Sequence, residues 1–257
     1  MARRQHVLAD HTLELRVQPV SLSLCAIALN EERFLAGMFE SVLGVVDELV
    51  IGIDSRTTDR TREIAQQHGA RIISFDWHDS FADARNMVVE RAWGDWILAL
   101  DADERLLPAG YQAIAEVLAP DVSSSIDGFR LLVDEDGVQE WTAPRLFQNE
   151  PALRYVGRVH EEVRYLPDPP RTFSLKLDNG PHLLHLGRGH PKRDRCLLHL
   201  RLRENPNDAV AYCYLALMAH GEGRDIAAST FARRALDCGP RTLHDDRVVL
   251  MERLAGR

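Results

Sequence analysis

The chain is organised around Trp96-Ile97-Leu98-Ala99-Leu100-Asp101-Ala102-Asp103-Glu104. Five apolar residues run directly into acidic ones, which is typical of a buried strand whose carboxyl end opens into a polar crevice. Side chains two positions apart in an extended backbone point the same way, so we expect the carboxylates of Asp101 and Asp103 to converge. Because close carboxylates repel each other, the pattern predicts Mn²⁺ or Mg²⁺ between them, bound to a nucleotide diphosphate. An acidic turn without a ligand is the alternative.

The composition narrows the class of protein and of ligand. A chain of 257 residues can form one sizeable domain, or a main domain with a smaller appendage. Its formal net charge of −8 argues against nucleic-acid binding, which requires clustered positive charge. The four cysteines lack C-x-x-C spacing, which favours reduced thiols, and no apolar run is typical of a signal peptide or a transmembrane span. We therefore expect a cytoplasmic protein, with peripheral contact at the inner face of the membrane if its substrate is lipid-linked.

The first part of the chain predicts a parallel sheet. After a lead-in over residues 1–20, four apolar segments alternate with three helical ones. The predicted strands cover residues 21–29, 47–54, 71–75 and 96–100, and the predicted helices begin at Asn30 as N-cap, at Arg60, and at Asp79 or Ser80. This alternation is typical of parallel strands with right-handed crossovers. Ligands bind beyond the carboxyl ends of such strands, where Asn30, Asp54 and Asp101 fall.

The pattern changes after the acidic motif. A helix is predicted from Pro108 to about Leu118, followed by short strands that we expect to be antiparallel. These strands cover residues 127–133, 141–147, 159–165 and 173–177, with a hairpin turn over 134–137. Helices are then predicted over residues 194–204, 209–220 and 226–238. The last two resemble one tetratricopeptide-type hairpin, which cannot bury its apolar face alone and is expected to pack on the main domain or to form a homodimer.

Four segments in order give the chain a resemblance to a known family. They are residues 24–32, 54–61, 81–86 and 94–104. With them, residues 21–190 resemble the family 2 glycosyltransferases of the GT-A fold, in the bacterial branch with C-terminal tetratricopeptide-like helices. The resemblance implies an α/β, Rossmann-like fold with a mainly parallel sheet flanked by helices, and a small helical extension over 191–257. It divides the main domain into a nucleotide-binding half, 21–104, and an acceptor half, 105–190.

The resemblance also implies a reaction. A sugar would move, with inversion, from a UDP-, GDP- or dTDP-sugar to a glycan, lipid-linked or protein acceptor. The residues implied in binding the donor nucleotide are Ala28, Asn30, Glu32, Asp54, Arg85 and Asp101. Asp54 can accept a hydrogen bond from a nucleobase N–H. Arg85 can bond to a ribose or phosphate oxygen, unless Arg85 only pairs with Asp79 or Asp83. Asp103 would bind Mn²⁺ or Mg²⁺ directly, while Asp101 would bind either the ribose or the metal through water.

An inverting transfer also requires a base that takes the proton of the acceptor hydroxyl. Within Arg158-Val159-His160-Glu161-Glu162, a segment that matches this branch, Glu161 is the candidate base unless it is only a solvated charge. His185 matches a late histidine that often completes the metal site in GT-A enzymes. Two places depart from the family pattern: Arg56-Thr57, in a turn usually written Gly-Ser, and Arg188, where the branch has tyrosine. Arg56 is expected to contact phosphate.

Two other functions compete with this one. A nucleotidyltransferase would carry a Gly-rich, basic phosphate loop after its first strand, where this chain has the acidic Leu29-Asn30-Glu31-Glu32. A nucleotide-sugar-binding adaptor without turnover would use the C-terminal helices to bind a partner. The acidic motif and the His160-Glu161 pair favour the enzyme.

Overall fold

The computed structural model describes residues 20–118, 127–135, 139–165, 175–176, 182–187, 189–239, 243 and 245–256. Its strands are β1 (Leu22–Ala28), β2 (Glu48–Asp54), β3 (Arg71–Phe75), β4 (Trp96–Ala99), β5 (Glu104–Leu106), β6 (Gly128–Glu135), β7 (Gln139–Gln148), β8 (Leu153–Val156), β9 (Glu162–Tyr165), β10 (Leu175–Lys176) and β11 (Leu183–His185). Its helices are α1 (Leu35–Glu40), α2 (Thr61–Gln67), α3 (Phe81–Val89), α4 (Pro108–Val117), α5 (Pro191–Glu204), α6 (Ala209–Gly221), α7 (Asp225–Cys238) and α8 (Asp245–Ala255). Most of the lead-in, the middle of the predicted hairpin turn and Arg188 lie outside the described residues, and the domain boundaries stay predictions.

The predicted parallel sheet is confirmed. Its strands lie in the order β3-β2-β1-β4, and every neighbouring pair is parallel. One face packs on α1 through side chains such as Leu24 and Ile51, and the other packs on α3 through Val50 and Ile97. Burial on both faces explains why these strands are apolar at nearly every position. The layering brings the carboxyl ends of β1, β2 and β4 to one edge.

Strand β4 joins this parallel part to a mixed part. Strand β7 pairs with β4, and β6 pairs with β7, both in the antiparallel direction. The expectation that the late strands are antiparallel is wrong for β10, which pairs with β6 in parallel. Strand β11, which was not predicted, pairs with β6 in parallel and with β5 in the antiparallel direction. The chain first leaves the sheet to form the separate antiparallel pair β8-β9, and then returns beside β6 in the same direction. The strand predicted over 159–165 begins only at Glu162.

The predicted role of Asn30 as a helix N-cap is wrong. Asn30 has a φ of 57°, and its Oδ1 accepts a hydrogen bond from the backbone N–H of Thr58 at 2.8 Å. The side chain therefore bonds to the loop after β2, and α1 begins only at Leu35. By contrast, Ser80 caps α3 as predicted, because its hydroxyl accepts from the N–H of Asp83 at 3.2 Å.

The acidic motif forms a turn, so the expectation of an extended backbone is wrong. Strand β4 ends at Ala99, and the N–H of Glu104 donates to the carbonyl oxygen of Asp101 at 3.0 Å. The chain has to reverse here because β5, which starts at Glu104, pairs with β11 in the antiparallel direction. As a result, the carboxylates of Asp101 and Asp103 find different partners.

The C-terminal helices pack on the main domain. The three predicted helices are present as α5, α6 and α7, whereas α8 was not predicted. Helices α6 and α7 form the hairpin, and α8 packs against them in a shared apolar core. Val159, in the loop before β9, is buried in a second cluster with Leu198 of α5 and Leu215 of α6. The apolar face of the hairpin therefore covers the segment that precedes Glu161.

Candidate active site

Asp54 lies at the end of β2 with its carboxylate covered by Arg56. Asp54 is only 2% exposed, and Arg56 bonds to it through Nε at 2.9 Å and through Nη2 at 2.5 Å. This hydrogen bonding lowers the pKa of Asp54. The guanidinium also lies 5.8 Å from the ring centroid of Trp77. A nucleobase that bonds to Asp54 therefore has to displace Arg56 or to bond to it as well.

The other residues predicted to contact the nucleotide lie beside this site. Ala28 is the last residue of β1 and is 6% exposed. Asn30 accepts from the N–H of Thr58, and Glu32 Oε2 accepts from the N–H of Arg60 at 3.0 Å. These hydrogen bonds join the loop after β1 to the loop after β2. The structure therefore brings Ala28, Asn30 and Glu32 together with Asp54.

Asp103 and His185 meet at the start of the ladder between β5 and β11. His185 is paired in register with Glu104, and its Nε2 lies 3.3 Å from Asp103 Oδ2. The hydrogen bond to Asp103 raises the pKa of His185 to about 9. A Cβ added at Gly187 would overlap Asp103 Oδ2, so any larger residue here would have to displace that carboxylate. The pair is thus fixed by backbone pairing on one side and by close packing on the other.

This pair is suited to holding one side of a divalent ion. Asp103 Oδ2 and His185 Nε2 are an oxygen and a nitrogen donor 3.3 Å apart, and an ion held by both would replace the proton of their hydrogen bond. Burial, together with Asp103 and Asp101, raises the pKa of Glu31 to about 7, which indicates excess negative charge in this corner. In the described residues, no group of three His, Cys, Asp or Glu side chains is arranged to hold an ion. A metal bound by Asp103 and His185 would complete its coordination with donor phosphate oxygens and water.

Five charged side chains form a network behind the acidic turn, in which Arg85, Glu104 and Arg145 are buried. Arg85 bonds to Glu161 Oε1 through Nε at 2.5 Å, and to Asp101 Oδ1 through Nη2. Arg145 Nη2 bonds to Asp101 Oδ2 at 2.8 Å and to Glu104 Oε1 at 2.6 Å. Burial alone would raise the pKa of Asp101, but the two arginines hold that pKa well below its usual range. The network connects the acidic turn to the candidate base.

These contacts bear on two predicted nucleotide-binding residues. Arg85 pairs with Asp101 and Glu161, so the alternative pairing with Asp79 or Asp83 is wrong. Each carboxylate oxygen of Asp101 accepts from an arginine. The predictions that Arg85 and Asp101 contact the donor, and that Asp101 contributes to the metal site, stay predictions.

Two residues of this region were missed in the sequence. Arg145 is buried in β7, with the buried residues Ala143 and Phe147 two positions to either side. A charged residue in the core register of a strand is a signal for a buried ion pair. Tyr155 lies in β8, a strand that was not predicted. The Arg85 guanidinium lies 5.6 Å from the centroid of the Tyr155 ring. The buried Tyr155 hydroxyl has no hydrogen-bond partner among the described residues.

Glu161 lies in a loop whose backbone conformation is unusual. Its side chain is 11% exposed, and the hydrogen bond from Arg85 uses Oε1. The preceding residue, His160, has a φ of 50°, which is uncommon for a residue with a side chain. The His160 ring stacks on Tyr214 of α6 with centroids 3.5 Å apart and an interplanar angle of 4°. Burial lowers the pKa of His160 to about 4.

The comparison with known proteins decides the family. Residues 23–176, more than half of the chain, match the model of Glycosyl transferase family 2. The chain belongs to this family. The matched range contains every residue predicted to bind the nucleotide, together with Asp103 and Glu161, whereas His185 lies beyond it.

Two curated relatives and one solved structure illustrate the similarity. A TPR repeat-containing protein of Synechococcus elongatus is 31% identical over 230 residues, which are 85% of this chain and 57% of that protein. Glycosyltransferase SunS of Bacillus subtilis is 28% identical over 160 residues, 59% of this chain and 37% of that protein. S. aureus TarS 1-349 superimposes with a TM-score of 0.50 at 12% identity, over 86% of this chain and 73% of that chain.

These comparisons settle the family and the fold class. The predicted family 2 glycosyltransferase with a GT-A fold is confirmed, and the relative that contains TPR repeats agrees with the C-terminal helices. The chain spans about half or less of the length of the two curated relatives. Across the described residues, the structure contains no helix with the length and apolarity needed to cross a membrane.

Proposed function

We propose that this chain is a metal-dependent glycosyltransferase that moves a sugar from a nucleotide-diphosphate sugar to an acceptor hydroxyl with inversion. The observation that supports this most is the grouping of three features at one edge of the sheet. Asp54 ends β2, Asp103 lies 3.3 Å from His185, and Glu161 is held by Arg85. Asp54 is suited to a nucleobase, the Asp103–His185 pair to a diphosphate and Glu161 to an acceptor. All three lie at the edge where α/β sheets bind ligands.

The donor nucleotide lies across the ends of β1 and β2 in this proposal. Asp54 accepts a hydrogen bond from a base N–H once Arg56 turns away, and Ala28, Asn30 and Glu32 border the nucleotide. Asp103 and His185 would hold Mn²⁺ or Mg²⁺, which when bound offsets the negative charge of the departing diphosphate.

Glu161 is the proposed base. Arg85 holds its Oε1, and no hydrogen bond to Oε2 is recorded among the described residues, so that oxygen can face the acceptor. Glu161 takes the proton of the acceptor hydroxyl while that oxygen forms a bond to the anomeric carbon, and the bond from this carbon to the diphosphate oxygen breaks. Because Glu161 is 11% exposed, this proton transfer takes place with little competing water.

A thermal-shift panel tests the donor site. UDP, GDP, dTDP and CMP are added with and without Mn²⁺, since a ligand that binds only the folded state raises the melting temperature. We expect one diphosphate to stabilise the protein only when the metal is present, and Asp103→Asn to remove that shift. Asp225→Asn is the matched control, because the Asp225 side chain on α7 is 85% exposed. If Asp103→Asn responds like the parent, the assigned metal site is wrong.

A second experiment uses the nucleotide sugar whose nucleotide stabilises the protein in this panel. Release of nucleoside diphosphate from that donor distinguishes an enzyme from an adaptor. We expect the parent to release it steadily, with water or an added acceptor, and Glu161→Gln to bind the donor normally without release. Binding without release under any acceptor would favour a nucleotide-sugar-binding adaptor that uses its C-terminal helices for a partner.

The finer features of the proposal concern the whole protein. The acceptor class, whether glycan, lipid-linked or protein, stays a prediction, and so does the choice among UDP-, GDP- and dTDP-sugars. A homodimer through the C-terminal helices and a cytoplasmic location with peripheral contact at the inner face of the membrane also stay predictions.

A further inference from the structure

The loop that precedes Glu161 is held in place almost entirely by other parts of the chain. It contains two residues with a positive φ within four positions: Gly157 has a φ of 95° and His160 a φ of 50°. A histidine is uncommon in the left-handed region and stays there only when its surroundings hold it. The loop conformation is therefore imposed by its contacts.

Helix α5 supplies the first set of contacts. Arg201, which is 9% exposed, donates from Nη1 to the carbonyl oxygen of Val159 at 2.8 Å. Its Nη2 pairs with Asp208 at 2.8 Å, and Asp208 caps α6 by accepting from the N–H of Ala211. A Cβ at Gly157 would lie 2.6 Å from Arg201 Nη1, so the guanidinium fills the space that the glycine leaves. One arginine thus ties the loop to the start of the hairpin.

Helices α6 and α8 supply the second set. The Tyr214 ring covers His160 in a nearly parallel stack, and the Arg247 guanidinium of α8 lies 4.4 Å from the centroid of the same Tyr214 ring. These three side chains form a column from α8 through α6 to the residue before Glu161. The next peptide then carries Glu161 to its bond with Arg85.

The main domain contacts the same loop from the opposite side. Phe81, at the start of α3, donates its N–H to the carbonyl oxygen of Arg158 at 2.8 Å. Arg85, four residues further along α3, is the residue that holds Glu161. The loop therefore lies between the helix that carries Arg85 and the C-terminal helices.

We propose that the C-terminal helices form part of the active site, with Tyr214 and Arg201 as positioning residues that orient the base Glu161 through His160 and Val159. This inference rests on the proposed function, because it assigns the C-terminal extension to the reaction of that same site. The helices act on the acceptor side of the reaction. Donor binding depends on the strand ends around Asp54 and Asp103. It therefore does not require the contacts between the C-terminal helices and the loop.

The test compares two tyrosines of α6. Tyr214→Ala removes the stack on His160, whereas Tyr212→Ala is a matched control that removes an aromatic contact with Phe231, 6.4 Å away, inside the hairpin. Tyr214→Phe keeps the stacked ring. Hydrogen exchange of the backbone amides in residues 157–163 is measured for all three variants and the parent, and needs no substrate.

We expect Tyr214→Ala to raise exchange in this loop at least about tenfold, with Tyr212→Ala and Tyr214→Phe close to the parent. Nucleoside diphosphate release from the donor found by thermal shift, with Mn²⁺ and water as acceptor, is the second readout. Displacing a reacting group by about 1 Å costs on the order of 100-fold in rate, so kcat of Tyr214→Ala is expected to fall about 10- to 100-fold while KM for the donor changes less than about twofold.

The outcomes separate this inference from the proposed function. Loop exchange that is unchanged in Tyr214→Ala, or raised equally in Tyr212→Ala, overturns the inference whether or not turnover is seen. The inference is also overturned if Tyr214→Ala exchanges faster but keeps the kcat of the parent while Glu161→Gln is inactive. If Glu161→Gln retains full turnover, the proposed base is wrong instead. In the Glu161→Gln background, Tyr214→Ala is expected to cause no further loss of kcat, because it acts through Glu161.

Discussion

Replacing Arg145 by methionine is a direct test of the buried charge network. Arg145 Nη2 lies 2.8 Å from Asp101 Oδ2 and 2.6 Å from Glu104 Oε1, and neither Arg145 nor Glu104 is appreciably exposed. Methionine retains most of the apolar length of the side chain and removes its charge. Asp101 keeps its bond to Arg85, but Glu104 loses its cation while it remains buried.

The size of the effect follows from this burial. Removing one partner of a buried ion pair costs about 3–5 kcal/mol in the free energy of unfolding, because the remaining carboxylate is left desolvated or has to take up a proton. Burial raises the pKa of Glu104 to about 7, so the full loss is expected at a pH above that value. For a chain of this size, about 1 kcal/mol corresponds to roughly 2–4 °C in Tm. We therefore expect Arg145→Met to lower Tm by roughly 6–20 °C. Combining it with Glu104→Gln removes the unpaired charge, so the double variant should recover a large part of the loss.

Urea unfolding followed by circular dichroism measures these free energies. The matched control is Arg164→Met, because Arg164 and Glu162 form a pair whose side chains are 40% and 28% exposed. Such a pair contributes less than about 1 kcal/mol, so this variant should unfold nearly like the parent. A loss of less than about 1 kcal/mol in Arg145→Met would refute the reasoning. So would a double variant with Glu104→Gln that is no more stable than Arg145→Met alone.

Three further predictions concern the nucleotide site and the loop. Gly187→Ala, which would displace the Asp103 carboxylate, should abolish the Mn²⁺-dependent thermal shift with a diphosphate; an unchanged shift would contradict the packing. Arg56→Ala should tighten nucleotide binding about two- to fivefold by calorimetry, because Asp54 no longer has to release an exposed partner, and weaker binding would mean that Arg56 contacts the ligand. The pKa of His160 is about 4, whereas an unfolded histidine titrates near 6.5. Stability should therefore fall by up to about 3 kcal/mol as the pH falls from 6.5 to 4, and His160→Gln should remove that part of the slope in pH-dependent urea unfolding.

The parallel sheet could be predicted because its signal is local. Each strand is a short apolar run, and the first three are followed by residues of helical period. The central strands are also buried on both faces. The mixed part of the sheet could not be predicted in the same way. Strand β11 lies between β6 and β5, parallel to the first and antiparallel to the second, and both partners are distant in the sequence.

The site shows the same division between local and distant causes. Asp54 and Asp103 could be chosen because Asp54 ends an apolar strand and Asp103 lies in the acidic turn just after another. The role of Asp101 was less well anticipated, since both its oxygens bond to arginines that lie 16 and 44 residues away. The bond of Arg56 to Asp54 could not be read from a family pattern that has a smaller residue in that turn.

The ladder between β5 and β11 also has a consequence for how such a protein can change. Three backbone pairs, from Leu106 with Leu183 to Glu104 with His185, fix two candidate metal ligands that are far apart in the sequence. The long segment between these strands carries α4, the mixed strands and the loop of Glu161. Under the proposed function, insertions or exchanges within that segment could alter which acceptor fits, while the pairing of Glu104 with His185 keeps the neighbouring Asp103 close to His185. If Asp103 and His185 hold the metal as proposed, the acceptor side of the site can vary without moving these two ligands.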